Sequence, residues 1–120
     1  MRYNIDLCDG YLRGEMIDRE TAEETRAFVA ALVSAVREYR VPKVMIVVRS
    51  SRPIFKVEEY RLSDTLKDIA AISGLKVALT SDTKELTASQ EYIELIARQK
   101  GLQFRTFPSE KAAEDWLVGR

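Results

Sequence analysis

The pattern of apolar and polar positions at the start of the chain predicts a β-hairpin. Tyr3, Ile5 and Leu7 alternate with polar residues, which is typical of a strand with one buried face. Asp9-Gly10 is a hairpin turn signal, and residues 11–14 predict the returning strand. We therefore expect two antiparallel strands before the first helix.

The next stretch predicts a long amphipathic helix. Asp18 is a good N-cap, and acidic residues follow it in the first turns. The helix is expected to end near Arg40, before Pro42. Its predicted inner positions are Ala22, Val29, Leu32, Val33, Val36 and Tyr39.

Three further helices are predicted. Leu62, Leu66, Ile69 and Ile72 recur at helical spacing before Gly74. The third helix has two candidate starts, Asp82 and Thr87, and the capping-box spacing of Thr87 and Gln90 favours the later one. Its predicted inner positions are Tyr92, Ile93, Ile96 and Ala97, and Gly101 ends it. The last helix is capped by Ser109 and turns Ala112, Ala113, Trp116 and Leu117 inward.

Strands are predicted between these helices. Val44 to Val48 is apolar at every position, as in a central strand covered on both faces. Residues 75–79 and 102–107 predict two more strands. The order ββαβαβαβα indicates a single α/β domain over residues 1–120, with a mixed, mostly parallel sheet of about five strands and helices on its faces.

Composition excludes several kinds of chemistry. There is no His, so neither a Ser-His-Asp triad nor an imidazole metal ligand is available, and the single Cys allows no internal disulfide. Lys and Arg number 19, as do Asp and Glu, which disfavours a dedicated nucleic-acid binder. No Gly-rich phosphate loop occurs. We expect no metal, cofactor or nucleic-acid partner. The charged start and short apolar runs also favour a cytoplasmic location.

Charge is unevenly distributed despite this balance. From Tyr39 to Val57 there is no acidic residue, and Arg49, Arg52 and Lys56 follow the predicted central strand, where open α/β sheets bind ligands. Together with apolar neighbours, these cations predict a site for an anionic amphipathic ligand or a membrane surface. Its candidate residues are Arg49, Arg52, Ile54, Phe55, Lys56 and Tyr60. Alternatively, Phe55 packs on the next helix and the cations are solvated.

The closing segment carries a family resemblance. Phe107-Pro108-Ser109, followed by Ala112-Ala113 and Trp116-Leu117, resembles the ending of the SpoIIAA-like, STAS-related family, whose element order is similar. The resemblance implies a non-enzymatic regulatory or binding module. Its best understood members are anti-sigma factor antagonists, switched by phosphorylation of a Ser after the central strand. Ser50 and Ser51 occupy that position here, flanked by Arg49 and Arg52 where antagonists have Asp-Ser and Gly.

Two hypotheses follow from the resemblance. The first is a binding module for an apolar or amphipathic ligand or a membrane surface. The resemblance leaves open whether such a module is a homodimer. The second is a protein-interaction regulator switched at Ser50 or Ser51.

Other candidate chemistry is weaker. Asp6, Asp9, Glu15 and Asp18 match no Ca²⁺ loop and are interpreted as solvent-facing and capping residues. Cys8 is interpreted as a structural thiol. An enzyme would require a cleft containing a pair of carboxylates with perturbed pKa values.

Overall fold

Five strands form one mixed sheet in the order β1-β2-β3-β4-β5, in a computed structural model that describes residues 1–52 and 66–119. The strands are β1 (Arg2–Leu7), β2 (Leu12–Ile17), β3 (Lys43–Arg49), β4 (Lys76–Ser81) and β5 (Gln103–Thr106). The helices are α1 (Ala22–Tyr39), α2 (Lys84–Gln99) and α3 (Glu110–Val118), and residues 66–70 are also helical. β1 and β2 are antiparallel and the other neighbours are parallel, so the predicted mixed α/β architecture is confirmed.

β3 is the central strand and separates two apolar layers. All residues from Val44 to Val48 are buried. On one face, Val44, Ile46 and Val48 pack with apolar residues of α1, α2 and the helical residues 66–70. On the other face, Met45 and Val47 pack with Leu117 of α3. The alternation along β3 explains why its sequence is apolar throughout, since each face meets a helix.

Two predicted helix starts are wrong. α1 begins after Thr21, which forms a capping box with Glu24, whereas Asp18 lies three residues earlier in a left-handed conformation. α2 begins after Thr83, whose hydroxyl accepts the backbone N–H of Leu86. The Thr87 hydroxyl lies within the helix and donates to the Thr83 carbonyl at 3.0 Å. Thr87 and Gln90 therefore match the capping-box spacing by chance.

The apolar pattern also overestimates burial at two aromatic residues. Tyr39, at the end of α1, is 49% exposed. Trp116 is half-buried and lies against Phe107, with 5.5 Å between ring centroids, and the Lys76 ammonium lies 4.4 Å from its ring. Leu117 is buried as predicted and anchors α3 to the sheet.

Candidate functional site

Three loops meet at the carboxyl ends of the parallel strands. They are the β2–α1 connection (residues 18–21), the β3 loop (residues 50–52) and the β4–α2 connection (residues 82–83). The Asp18 N–H donates to the Arg49 carbonyl at 3.2 Å, and the Arg52 N–H donates to the Arg19 carbonyl at 2.8 Å. Backbone hydrogen bonds therefore hold the β2–α1 connection against the end of β3 and the β3 loop.

The two candidate serines have different environments in the β3 loop. The Ser51 hydroxyl donates to the Arg49 carbonyl at 2.9 Å and accepts the Arg19 backbone N–H at 3.0 Å. Ser50 is exposed with a positive φ of 47°, and its backbone N–H donates to the Asp82 carboxylate at 3.2 Å. Among the described residues, the Ser50 hydroxyl has no hydrogen-bond partner. Ser51 is thus a structural link between two loops, and Ser50 presents an accessible hydroxyl.

Arg19 connects the β3 loop to the core. Its side chain is buried, and its guanidinium donates to the Arg52 carbonyl. A shallow concavity on this edge is lined by Asp18, Arg19, Glu20, Ser50 and Arg52. The acids of the β2–α1 connection therefore lie beside the cations of the acid-free stretch, and the edge carries both signs of charge.

An ionic cluster lies on the α3 face of the sheet and consists of Arg13, Glu15, Arg49 and Glu110. Arg49 Nε lies 2.8 Å from Glu15 Oε2, and Arg49 Nη2 lies 2.9 Å from Glu110 Oε2. Arg13 Nε lies 2.7 Å from Glu110 Oε1. The cluster links β2, β3 and the first turn of α3, where a carboxylate is also favoured by the helix dipole.

The ionic cluster lowers the pKa of both glutamates. For Glu15 the main cause is the hydrogen bond from Arg49, and burial opposes it. For Glu110 the main cause is the hydrogen bond from Arg13, again opposed by burial. Both carboxylates are kept ionised, whereas a general acid needs a raised pKa.

Of the predicted ligand residues, the structure describes Arg49 and Arg52, and these two side chains have different surroundings. Arg49 turns onto the α3 face, where its guanidinium binds two carboxylates. Arg52 is exposed at the concavity. Ile54, Phe55, Lys56 and Tyr60 lie outside the described residues, so their part of the predicted site stays a prediction.

Several residues of this edge were not predicted. Glu15 was interpreted as solvent-facing, but it lies between Arg13 and Arg49 with 16% of its side chain exposed. The period-two alternation of β2 does place Arg13 and Glu15 on one face, and that signal was available in the sequence. No local sequence pattern indicates the contacts of Arg19 with Arg52 or of Asp82 with Ser50. The partners in these two contacts are 33 and 32 residues apart in sequence.

Comparison with known proteins identifies the fold. No family model matches the chain, and no curated protein matches its sequence. The crystal structure described as "a putative anti-sigma factor antagonist" from Thermotoga maritima matches with a TM-score of 0.56. The match covers 94% of this chain and 92% of that chain, at 15% sequence identity. The chain shares the fold of that protein. The fold expected from the family resemblance is therefore confirmed, and activity and partners are matters for proposal.

Two further observations concern the described residues only. No helix within 1–52 and 66–119 is long and apolar enough to cross a bilayer. The same ranges contain no group of three or more Cys, Asp or Glu placed to hold a metal ion.

Proposed function

We propose that the protein is a non-enzymatic regulator that binds a protein partner, in the manner of an anti-sigma factor antagonist. The observation that carries this proposal is the exposed Ser50 on a loop tied to its neighbours. The fold shared with a protein described as "a putative anti-sigma factor antagonist" supports the same class of function. The mixed charges of Asp18, Glu20 and Arg52 suit a polar protein surface.

Ser50 is the proposed switch residue. A phosphate on its hydroxyl would add negative charge beside Asp82, whose carboxylate accepts the Ser50 N–H. Repulsion between the two anions would weaken that hydrogen bond and change the β3 loop. Ser51 would keep the loop linked to Arg19, so the change would be confined to the partner-facing edge.

We expect the phosphomimetic Ser50→Asp variant to weaken partner binding by about tenfold or more, because it places a charge at the contact. The partner is first captured on immobilised wild-type protein and identified, and the purified pair is then measured by calorimetry. Ser50→Ala is the matched control and is expected to bind like wild type. Equal affinity for Ser50→Asp and wild type, or the absence of any specific protein partner, would contradict the proposal.

A second candidate function is binding of an anionic amphipathic ligand. One observation favours it: Arg19 lines both the polar concavity and an apolar cavity of about 60 Å³ between the sheet and the helices. A head group in the concavity would have an apolar space behind it. The cavity is smaller than the ~300–1,000 Å³ of ordinary small-molecule sites, so an acyl chain would require the cavity to widen.

Vesicle binding tests this second candidate. Wild-type protein is expected to co-sediment with vesicles containing phosphatidylglycerol and not with neutral phosphatidylcholine vesicles, because Arg52 would contact the anionic head groups. Arg52→Glu is expected to reduce co-sedimentation at least about threefold, since each cation near the surface contributes measurably. The matched control is Arg26→Glu, at an exposed position of α1. Equal binding by wild type and Arg52→Glu would exclude this role.

A further inference from the structure

The outer edge of β1 offers backbone hydrogen-bonding groups. Within residues 1–52 and 66–119, β1 is the end strand of the sheet and pairs only with β2. The Cys8 N–H donates to the Tyr11 carbonyl at 2.8 Å, which marks that pair as hydrogen-bonded. In an antiparallel ladder such pairs alternate, so Tyr3, Ile5 and Leu7 direct their N–H and C=O groups away from β2.

This edge has few of the features that normally prevent strand pairing. β1 contains neither Pro nor Lys, and its register with β2 is continuous, without a bulge. Tyr3 is 42% exposed and Leu7 is 52% exposed, on the same face of the strand as Ile5. An open edge with exposed apolar side chains is a surface suited to another strand.

The sequence of β1 complements itself in one antiparallel register. Placing a two-fold axis at Asn4 pairs Tyr3 with Ile5 of a second copy, and both residues have outward-facing backbone groups. In the same register Arg2 lies directly opposite Asp6 of the second copy, on the other face. These pairs occur twice because of the symmetry. A register centred on Ile5 overlaps equally but places Asn4 opposite Asp6, so only the register centred on Asn4 brings Arg2 opposite Asp6.

The charges of β1 are available for this pairing. Arg2 has one ion pair in the described structure, with Asp18 at 3.6 Å, and both side chains are largely exposed. Such a surface pair contributes little and exchanges readily. Asp6 is exposed on the same face of the strand.

We infer that β1 is a homodimer interface, in which two copies join their sheets through antiparallel β1–β1 pairing centred on Asn4. The result is a continuous ten-stranded sheet made from two five-stranded sheets. The occupant of the edge is a second copy of this chain, because the register brings opposite charges and apolar side chains together simultaneously.

Sedimentation equilibrium of the full chain with charge-reversal variants tests the interface. Wild type is expected to show a reversible dimer. Arg2→Asp and Asp6→Arg are each expected to weaken dimerisation about tenfold or more, because each places like charges opposite each other twice. The double variant Arg2→Asp/Asp6→Arg restores opposite charges and is expected to return to the wild-type dissociation constant. An equimolar mixture of the two single variants is expected to form heterodimers.

Two controls show whether weaker dimerisation comes from the β1 contact. One tests the change in net charge and the other tests folding. Arg26→Asp makes the same charge change at an exposed position of α1 and is expected to leave dimerisation unchanged. Circular dichroism should show native spectra for all variants, since positions 2 and 6 are exposed. A wild-type protein that remains monomeric up to about 1 mM would overturn the inference. An unchanged dissociation constant in both single variants would also overturn it. So would a double variant that dimerises as weakly as the single variants.

Discussion

Replacing Gly14 with Ala is expected to lower the free energy of unfolding by about 1–3 kcal/mol, because it overfills the core. A Cβ at this position would lie 2.8 Å from Leu32 Cδ2 and 2.9 Å from Phe28 Cζ. Leu32 is 4% exposed and Phe28 is 1% exposed, so both buried side chains must shift within the core to admit the Cβ, and this repacking is the expected cost. Urea unfolding followed by circular dichroism measures the effect.

The sign of the Gly14→Ala result discriminates between crowding and backbone effects. In an uncrowded strand the substitution would stabilise the protein by about 0.4–1 kcal/mol, because Ala restricts the unfolded chain. Leu32→Val removes Leu32 Cδ2, the nearest atom to the new Cβ, and leaves the contact with Phe28. In a double-mutant cycle, Gly14→Ala is therefore expected to cost less in the Leu32→Val background. A neutral or stabilising effect of Gly14→Ala in the wild-type background would contradict the packing argument.

Loss of Glu15 from the ionic cluster is expected to have the second largest effect. Glu15→Gln should lower the free energy of unfolding by about 1–2 kcal/mol at neutral pH, because it removes charge-assisted hydrogen bonds to Arg13 and Arg49. The side chain is mostly buried, so water does not replace these bonds fully. Urea unfolding at pH 7 measures the loss.

The pH dependence of stability gives a second measurement of the ionic cluster. The folded-state pKa of Glu15 lies below the ordinary value of 4.5, so its stabilisation is present above that value. It is lost as the pH falls through the folded-state pKa, when the carboxylate is protonated. Wild type should therefore lose stability more steeply below about pH 5 than Glu15→Gln does. Parallel curves for the two proteins would contradict a stabilising role.

A matched control excludes a general effect of removing one carboxylate. Glu91 is exposed on α2 and has no ion pair in the described part of the chain. Glu91→Gln is expected to follow the wild-type curve at every pH. Glu110 contributes with the same sign as Glu15, but its side chain is 38% exposed and solvent screening reduces its share.

Secondary structure was predictable wherever the apolar residues of one element formed a clear pattern, either periodic or continuous. Val44 to Val48 indicated a strand covered on both faces, and β3 is that strand, because helices lie on both sides of it. Helix starts were less predictable. Asp18 and Thr87 both match an N-cap pattern, yet Thr21 and Thr83 cap the helices. Capping patterns are short, and hydroxyl or carboxylate residues also occur beside them by chance.

The position of the loop after β3 was predictable, but the contacts of its residues were not. Residues after a central parallel strand were expected at the carboxyl-terminal edge of the sheet, and Ser50, Ser51 and Arg52 lie there. Arg49 was expected to face a ligand, but its guanidinium binds Glu15 and Glu110. Glu110 is 61 residues away in sequence, so no local pattern could reveal this pairing.

The sequence by itself determined the alternation of strands and helices, the central strand and the chemistry that is unavailable without His. These properties depend on residue type and on spacings within one element, so they are readable along the chain. Only the tertiary structure decided the charge of the site and the separate environments of Ser50 and Ser51. An acid-free stretch became an edge of mixed charge because Asp18, Glu20 and Asp82 are brought to it from other segments. Electrostatic environment depends on distance in space, which sequence separation does not record.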